Sequence, residues 1–551
     1  MNEFIFFKHF CFLVPYLLAV LLENTTKTLS INACVRKNPL QIRGCYRVKK
    51  IGIILAGGKG KRIANFVNPK VMLRVKNKTL VENHVQGLLE VFNVDVVILV
   101  INSEKKELID HARSLKTKYG EKLIIVEGIG FKKNATKYGI DLIHAYKSLN
   151  NGDLYFYVMG DHFIDYDDLK PLKNEINEKI NEFYSNVHEK MLIFIDTAPR
   201  CAKEASQSKV LVENEEIIDH GKELEDWNAL ETGLIVIKPE VLSKLEAKLD
   251  ELGDFDTTNI VNVVKKELNG AVTFFDIKGT CWFGVNTFDD WMDGINNYVK
   301  YRLTLKETIT ICKAGKAGIF AHLLYKYIAA IITFIILKLN PRTRAESVSI
   351  ATYVMAIPAA IIAFFYPLLG AIIYLFLEIL DSVDGTIARL KNTCNIGGGL
   401  LDSGAGVLRH TLIPLAIFIH YKLYILALAI ALLQAMKYRL RWHMAEAGAH
   451  IRGFVARMLE KRKTKIIFGL TGDVIVTLIL GALILEYFEI IVTIPPLLPF
   501  YWKTISMSPI QLTAYFFVVI YVIMGLLDVI RLPKIALRIY KETLEKARRS
   551  V

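Results

Sequence analysis

The hydrophobic pattern changes character once along the chain, near residue 300. Before that point short apolar runs alternate with amphipathic stretches, the pattern of strands and helices in turn. IGIIL (51–55), VDVVILVIN (94–102) and LYFYVM (154–159) are continuous apolar runs of strand length and predict buried parallel strands. From about Gly318 the runs lengthen toward the roughly 20 residues that cross a bilayer. Six spans are predicted, at approximately 346–366, 368–390, 399–420, 422–440, 466–490 and 510–532. Ahead of them, residues 318–344 read as an amphipathic helix along the interface, Lys326 and Lys338 reaching to headgroups, with a seventh span as the alternative. The expected architecture is an α/β Rossmann-like domain over 49–300, a linker and juxtamembrane helix over 301–345, and an all-α polytopic membrane domain over 346–551. Residues 1–48 form an extension. Its run from Phe4 to Leu22 reads either as an anchor helix or as sequence ahead of a mis-assigned start.

Charge orients this plan. Lys and Arg number 69 against 55 Asp and Glu, a formal net charge of +14. The positive residues gather in the loops predicted on one side: Arg342, Arg344, Lys391, Arg439, Arg441, Arg452, Arg457, Lys461 to Lys465, and a tail from Arg531 to Arg549. The opposite loops hold Lys422 and Lys503. By the positive-inside rule the α/β domain and the charged loops lie on the cytoplasmic face of the cell membrane. No aromatic–basic module of the kind that binds nucleic acid is present. The seven cysteines form no CxxC pair, which favours a reducing compartment over a disulfide framework or a zinc site.

Two stretches carry chemistry. The first strand runs into LAGGKGKR, where Leu55, Ala56, Gly57, Gly58 and Gly60 bring backbone N–H groups close to a ligand, and Lys61 and Arg62 add positive charge. NPKVML follows, with Lys70, and Asp161 stands directly after a strand, where ligands bind in open α/β sheets. A helix-capping role is the alternative for Asp161. The second stretch is DSVDGTIARLKNTCNIGGGLLDSGAG (381–406). Asp381 and Asp384 share a helix face, and Asp402 comes from the next helix. Ionised groups at membrane depth are functional by default.

The spacing LAGG-x-G-x-R…PK-x-L resembles the nucleotidyltransferases that condense an NTP with a sugar phosphate. GDH (160–162), Lys222 and the ETG of Glu231, Thr232 and Gly233 most resemble the CTP:inositol-1-phosphate cytidylyltransferases. The resemblance implies that Arg62, Lys70 and Lys222 act in catalysis, that Asp161 and Asn286 ligate Mg²⁺, with Mn²⁺ as the alternative ion, and that Glu231, Thr232 and Gly233 meet the sugar phosphate. It departs at WFGVN, where Gly284 and Asn286 occupy the family's two acid positions, which implies weaker metal binding.

D-x2-D-G-x2-A-R-x8-G-x3-D-x3-D is the signature of the CDP-alcohol phosphotransferases, and Asp381, Asp384, Gly385, Ala388, Arg389, Gly398 and Asp402 match it. The resemblance implies Mg²⁺ on the aspartates and cytidine beside the small residues. Together the halves resemble the archaeal bifunctional enzymes of di-myo-inositol phosphate synthesis, implying CTP, inositol-1-phosphate and CDP-inositol as substrates and a homodimer. The alternatives are phospholipid synthesis with a membrane-lipid acceptor, and a tethered cytidylyltransferase with a non-catalytic membrane half. Gly406 stands where the family has its fourth acid, a general base. Its absence implies a slow transferase, a substitute base in His410, or a domain that only binds. Arg409, Arg452 and Arg457 are the expected grip on the acceptor's phosphate, and Asp473 is placed to orient an arginine.

Overall fold

The computed structural model describes residues 48–58, 69–128, 153–214, 216–252, 257–315, 320–394, 396–446, 472–490, 492–494, 505–520 and 522. Gly60, Lys61, Arg62, Arg452, Arg457, the 461–465 cluster and the first 47 residues lie outside them, as does the Asp473 side chain.

The first half is built on a nine-stranded sheet. Its main path runs β10 (Glu216–Gly221), β9 (Lys209–Glu213), β11 (Ala229–Ile237), β6 (Leu154–Met159), β1 (Lys50–Ala56), β4 (Val96–Asn102), β5 (Leu123–Gly128). β8 (Glu189–Asp196) pairs with β11, and β12 (Ala271–Asp276) pairs with β8. β1 is parallel to both β4 and β6, in registers Leu55↔Val100 and Leu55↔Met159. All three expected strands are therefore present, central and buried. Chain order proceeds from β1 to β4 and β5 on one side, then to β6 on the other. That reversal between β1 and β6 is the switch point at which open sheets of this kind hold ligands.

Four smaller pieces complete this half. A hairpin, β2 (Arg74–Val75) with β3 (Lys78–Thr79), leads into α1 (Leu80–Glu90), whose N-cap Thr79 accepts from the Glu82 N–H. β7 (His162–Ile164) pairs with β13 (Trp282–Gly284). α2 (Lys106–Tyr119) covers β4 and β5. α3 (Phe288–Tyr301) starts on a capping box in which Thr287 and Asp290 satisfy one another's backbone N–H groups.

The second half is mainly helical: α4 (Leu305–Ala314), α5 (Lys326–Leu339), α6 (Ala345–Phe365), α7 (Pro367–Lys391), α8 (Ile396–His420), α9 (Tyr424–Glu446), α10 (Gly472–Tyr487), and a further helix at Pro509–Ile520, with one short antiparallel pair, Val492–Ile494 against Ile505–Met507. The first three predicted spans agree with α6, α7 and α8 to within about three residues. Two helices among the described residues are long and apolar enough to cross a membrane by themselves, Ala321–Leu339 and Ala345–Phe365. The first of these was expected along the interface with its lysines reaching to headgroups, and the lysine contacts correct the second part of that expectation. Lys326 is buried with its ammonium on the Gly315 carbonyl, and Lys338 donates to the carbonyls of Val299 and Lys300. Both lysines satisfy protein acceptors, not headgroups.

One apolar core runs through both halves, from Leu73, Phe163, Phe283 and Trp291 to Ala329, Tyr374, Leu377 and Ile413. The junction is specific. Lys391, expected as a loop charge, is 1% exposed and donates to Asn296 Oδ1, Pro341 O and Thr343 O at 2.8, 2.5 and 2.9 Å. Trp291 Nε1 donates to the Lys391 carbonyl at 2.8 Å, and the left-handed C-cap residue Asn392 donates to the Arg74 carbonyl at 2.6 Å. The cysteine expectation is corrected at one pair. Cys201 and Cys281, 80 residues apart, are disulfide-bonded, and the fold alone brings them together.

Candidate active sites

The first site forms at the switch point. β1 ends in Ala56, followed by buried Gly57 and exposed Gly58, and β6 is followed by Gly160 and Asp161. The Gly160 N–H donates to the Leu55 carbonyl at 3.0 Å, and a Cβ on Gly160 would lie 2.6 Å from that oxygen. Only glycine lets Asp161 come this close to the glycine-rich turn. Lys70, in a short helical turn after Pro69, ion-pairs with Asp161 and donates to the Val285 carbonyl at 3.0 Å. The Val285 N–H donates to the Asp161 carbonyl, which sets Asn286 beside the pair. Burial raises the Asp161 carboxyl, but Lys70 and His162 outweigh it and hold the group below its ordinary value. Asp161 and Lys70 thus meet here, with half-buried Asn286 next along the chain from Val285, a carboxylate beside a cation whose chemistry is compatible with a hard divalent ion and phosphate.

His162 explains the departure at Gly284. Its Nδ1 donates to the Thr232 carbonyl at 2.8 Å, and its ring stacks on Trp282. A Cβ on Gly284 would meet Gln207 Oε1 at 2.6 Å and His162 Nε2 at 2.8 Å. The family's acid would require Gln207 and the His162 ring to move aside. Gly233, with φ of +79°, is needed for the same reason: its Cβ would lie 2.3 Å from His162 Nδ1.

The ETG expectation is otherwise corrected. Glu231 and Thr232 belong to β11, at a register shift against β8, and both are buried. The Glu231 carboxylate is held by His220 Nε2 at 2.8 Å, and Thr232 Oγ1 donates to the Phe194 carbonyl. They shape the strand. Lys222 is exposed in the turn after β10 and forms no part of the Asp161 cluster's described contacts.

The second site lies where α6, α7 and α8 meet. Asp384, Gly385, Ala388, Arg389, Gly398 and Asp402 line one cavity of about 160 Å³. Six of the seven signature residues line it; Asp381 does not, and its carboxylate is instead paired with Arg409. Asp384 is buried and accepts from Ser349 Oγ of α6 at 2.5 Å. Among the described residues no three acidic, histidine or cysteine side chains are already disposed as a cation cage. Three carboxylates at one helix crossing nevertheless supply the oxygen donors and excess negative charge that a divalent cation requires. Gly385 and Gly315 leave room for the Arg389 guanidinium, whose Nη1 would lie 3.1 and 3.0 Å from a Cβ on each.

Arg409 corrects a further expectation. It is 1% exposed and donates from Nε to Glu378 Oε1 at 2.5 Å and from Nη2 to Asp381 Oδ1 at 2.7 Å. It fixes an aspartate instead of reaching for an acceptor phosphate. Glu378 and Tyr374, on the same face of α7 as Asp381, went unread in the sequence. His410 Nδ1 lies 2.7 Å from the Tyr374 hydroxyl and 3.5 Å from Glu378 Oε1. A carboxylate three residues before Asp381, inside an apolar run, was the available signal.

Residues 51–148 match the family model of 2-C-methyl-D-erythritol 4-phosphate cytidylyltransferase. Three curated relatives are each named bifunctional IPC transferase and DIPP synthase. The one from Aquifex aeolicus is 25% identical over 353 residues, 64% of this chain and 73% of its own. The one from Thermococcus kodakarensis is 24% identical over 212 residues, 38% of this chain and 45% of its own. The one from Archaeoglobus fulgidus is 25% identical over 211 residues, 38% and 39%. This chain thus spans less than half the length of two of the three. Among solved structures, the inositol-1-phosphate CTP transferase from T. maritima is similar with a TM-score of 0.36 at 20% identity, over 44% of this chain and 91% of that one. The family match and the relatives' names agree with the resemblance drawn from the motifs.

Proposed function

We propose that the protein is a bifunctional membrane enzyme that makes CDP-inositol from CTP and inositol-1-phosphate and then transfers inositol phosphate to a second inositol-1-phosphate, releasing CMP. The observation that carries the reading is the convergence of two separate motif sets, each on its own cavity or cluster, in one continuous body. The inositol chemistry follows from the motif resemblance, and the relatives are likewise named as bifunctional enzymes.

In the first half, the loop amides at Gly57 and Gly58 face the nucleotide phosphates. Lys70 neutralises charge as the polyol phosphate attacks the α-phosphorus of CTP and pyrophosphate leaves. Asp161 and Asn286 are the residues that would hold Mg²⁺, which when bound supplies further charge neutralisation. In the second half, Asp381, Asp384 and Asp402 would hold Mg²⁺ against the CDP pyrophosphate. Gly385, Ala388 and Gly398 give the nucleotide room, and Arg389 adds a cation at the cavity wall.

The membrane reading is supported by large apolar side chains that face outward: Val354, Ile357, Ile361 and Phe365 on α6, Phe376 on α7, and Ile425, Leu428 and Leu432 on α9, at 50–85% exposure. A patch of that kind calls for lipid or a partner. In this reading six or seven helices cross, both sites face the cytoplasm, and the chain pairs as a dimer.

The test assays the two half-reactions on one purified sample. The account expects pyrophosphate release from CTP plus inositol-1-phosphate, and CMP release from CDP-inositol plus inositol-1-phosphate, both Mg²⁺-dependent. One observation favours a second reading, a tethered cytidylyltransferase: position 406 carries no carboxylate. Pyrophosphate release without CMP release would select it. CMP release that requires a lipid acceptor would select phospholipid synthesis.

A further inference from the structure

The phosphotransferase reading leaves one step without a group to perform it, the removal of the acceptor's hydroxyl proton. We propose that His410, oriented by Tyr374 and Glu378 across the helix crossing, is the proton acceptor that replaces the missing fourth acid. The inference rests on that reading and deepens it.

Gly406 lies one helical turn beyond Asp402 on α8. A Cβ placed on it meets nothing closer than His410 Nε2 at 3.7 Å and Arg409 Nη2 at 3.9 Å. A side chain at this position would therefore point into space walled by the Nε2 edge of His410. The imidazole borders the space that a side chain at 406 would enter. Its opposite edge is fixed from α7, with Nδ1 at 2.7 Å from the Tyr374 hydroxyl and 3.5 Å from Glu378 Oε1. With Nδ1 protonated and donating to the Tyr374 oxygen, Nε2 is the basic nitrogen. Glu378 is itself anchored by Arg409. One buried arginine thus holds both the aspartate expected on the metal and the glutamate behind the imidazole. The relay of base, orienting partner and buried carboxylate is the arrangement that makes histidine effective in proton transfer.

The step balances. The acceptor oxygen forms a bond to the β-phosphorus, the bond from that phosphorus to the bridging oxygen breaks, and CMP leaves with the electron pair. The hydroxyl proton passes to Nε2, and the imidazolium, its positive charge facing Glu378, returns the proton to solvent.

The test uses the full chain in detergent or nanodiscs, given CDP-inositol, inositol-1-phosphate and Mg²⁺, with CMP release followed. His410→Gln should lower kcat about a hundredfold, leave KM for CDP-inositol within twofold, and leave pyrophosphate release by the same sample unaltered. Tyr374→Phe should lower kcat with the same KM pattern, to a smaller extent. His410→Gln combined with Gly406→Asp should recover at least tenfold of the loss. A kcat for His410→Gln within twofold of the unmodified chain overturns the base, as does a loss that appears mainly as a raised KM, which marks a structural role. Absence of CMP release from the unmodified chain overturns the phosphotransferase reading itself, and the base with it.

Discussion

At the residue scale, two glycines that replace family acids have opposite causes. Gly284 is fixed by its neighbours, because Gln207 and His162 occupy the volume that any side chain would need. Gly406 has room for a side chain, since a Cβ there would make only ordinary van der Waals contact, nearest to His410 Nε2 at 3.7 Å. Gly284→Asp should therefore destabilise the protein by about 1–3 kcal/mol through overpacking and reduce cytidylyl transfer, read as a lower denaturant midpoint and a lower rate of pyrophosphate release. Gly406→Ala should stabilise it by about 0.5–1 kcal/mol, the ordinary gain from removing glycine inside a helix, read as a higher thermal midpoint in detergent. The Lys70–Asp161 pairing was legible because each residue sits in a short motif at the carboxyl edge of the sheet. Glu231 was misread because ETG looks the same in a turn and in a strand whose register slips. Glu378 was missed because its importance lies in Arg409 and His410, some thirty positions away and one helix across.

At the element scale, α1 is tied to β7 by one buried imidazole. His84 Nε2 donates to the His162 carbonyl at 2.7 Å, and Nδ1 lies 2.8 Å from the Tyr166 hydroxyl. Burial pushes its pKa down from 6.5 to about 4. In the unfolded chain this histidine takes up a proton as pH falls through 6.5, whereas the folded chain takes it up only near 4. Stability from this group is therefore full above pH 6.5 and lost as pH drops toward 4. The loss should amount to about 3 kcal/mol. Denaturant midpoints at pH 7, 5.5 and 4 check it, and His84→Asn should flatten the dependence. The strands and α6, α7 and α8 were readable from apolar run length alone. The role of α5 was not, because its lysines read as interfacial until their carbonyl partners are known. Nor was the Cys201–Cys281 bond, whose partners are adjacent only once β13 lies beside the segment after β8.

At the scale of the whole molecule, the two halves are joined by contacts that sequence periodicity does not encode. Lys391 ends the signature helix and satisfies three acceptors at the junction, while the hairpin that follows Lys70 meets the cap of that helix at Asn392. Lys391→Met leaves those acceptors unpaired. It should weaken the junction by about 2 kcal/mol, seen as separate melting of the halves or as faster proteolysis near residue 340. One purified sample in a lipid bilayer, given CTP, Mg²⁺ and inositol-1-phosphate labelled in its phosphate, tests the central claim most directly. The account predicts label in a water-soluble phosphodiester, with CMP formed in equal amount. Label that stops in CDP-inositol, with pyrophosphate but no CMP, would contradict it.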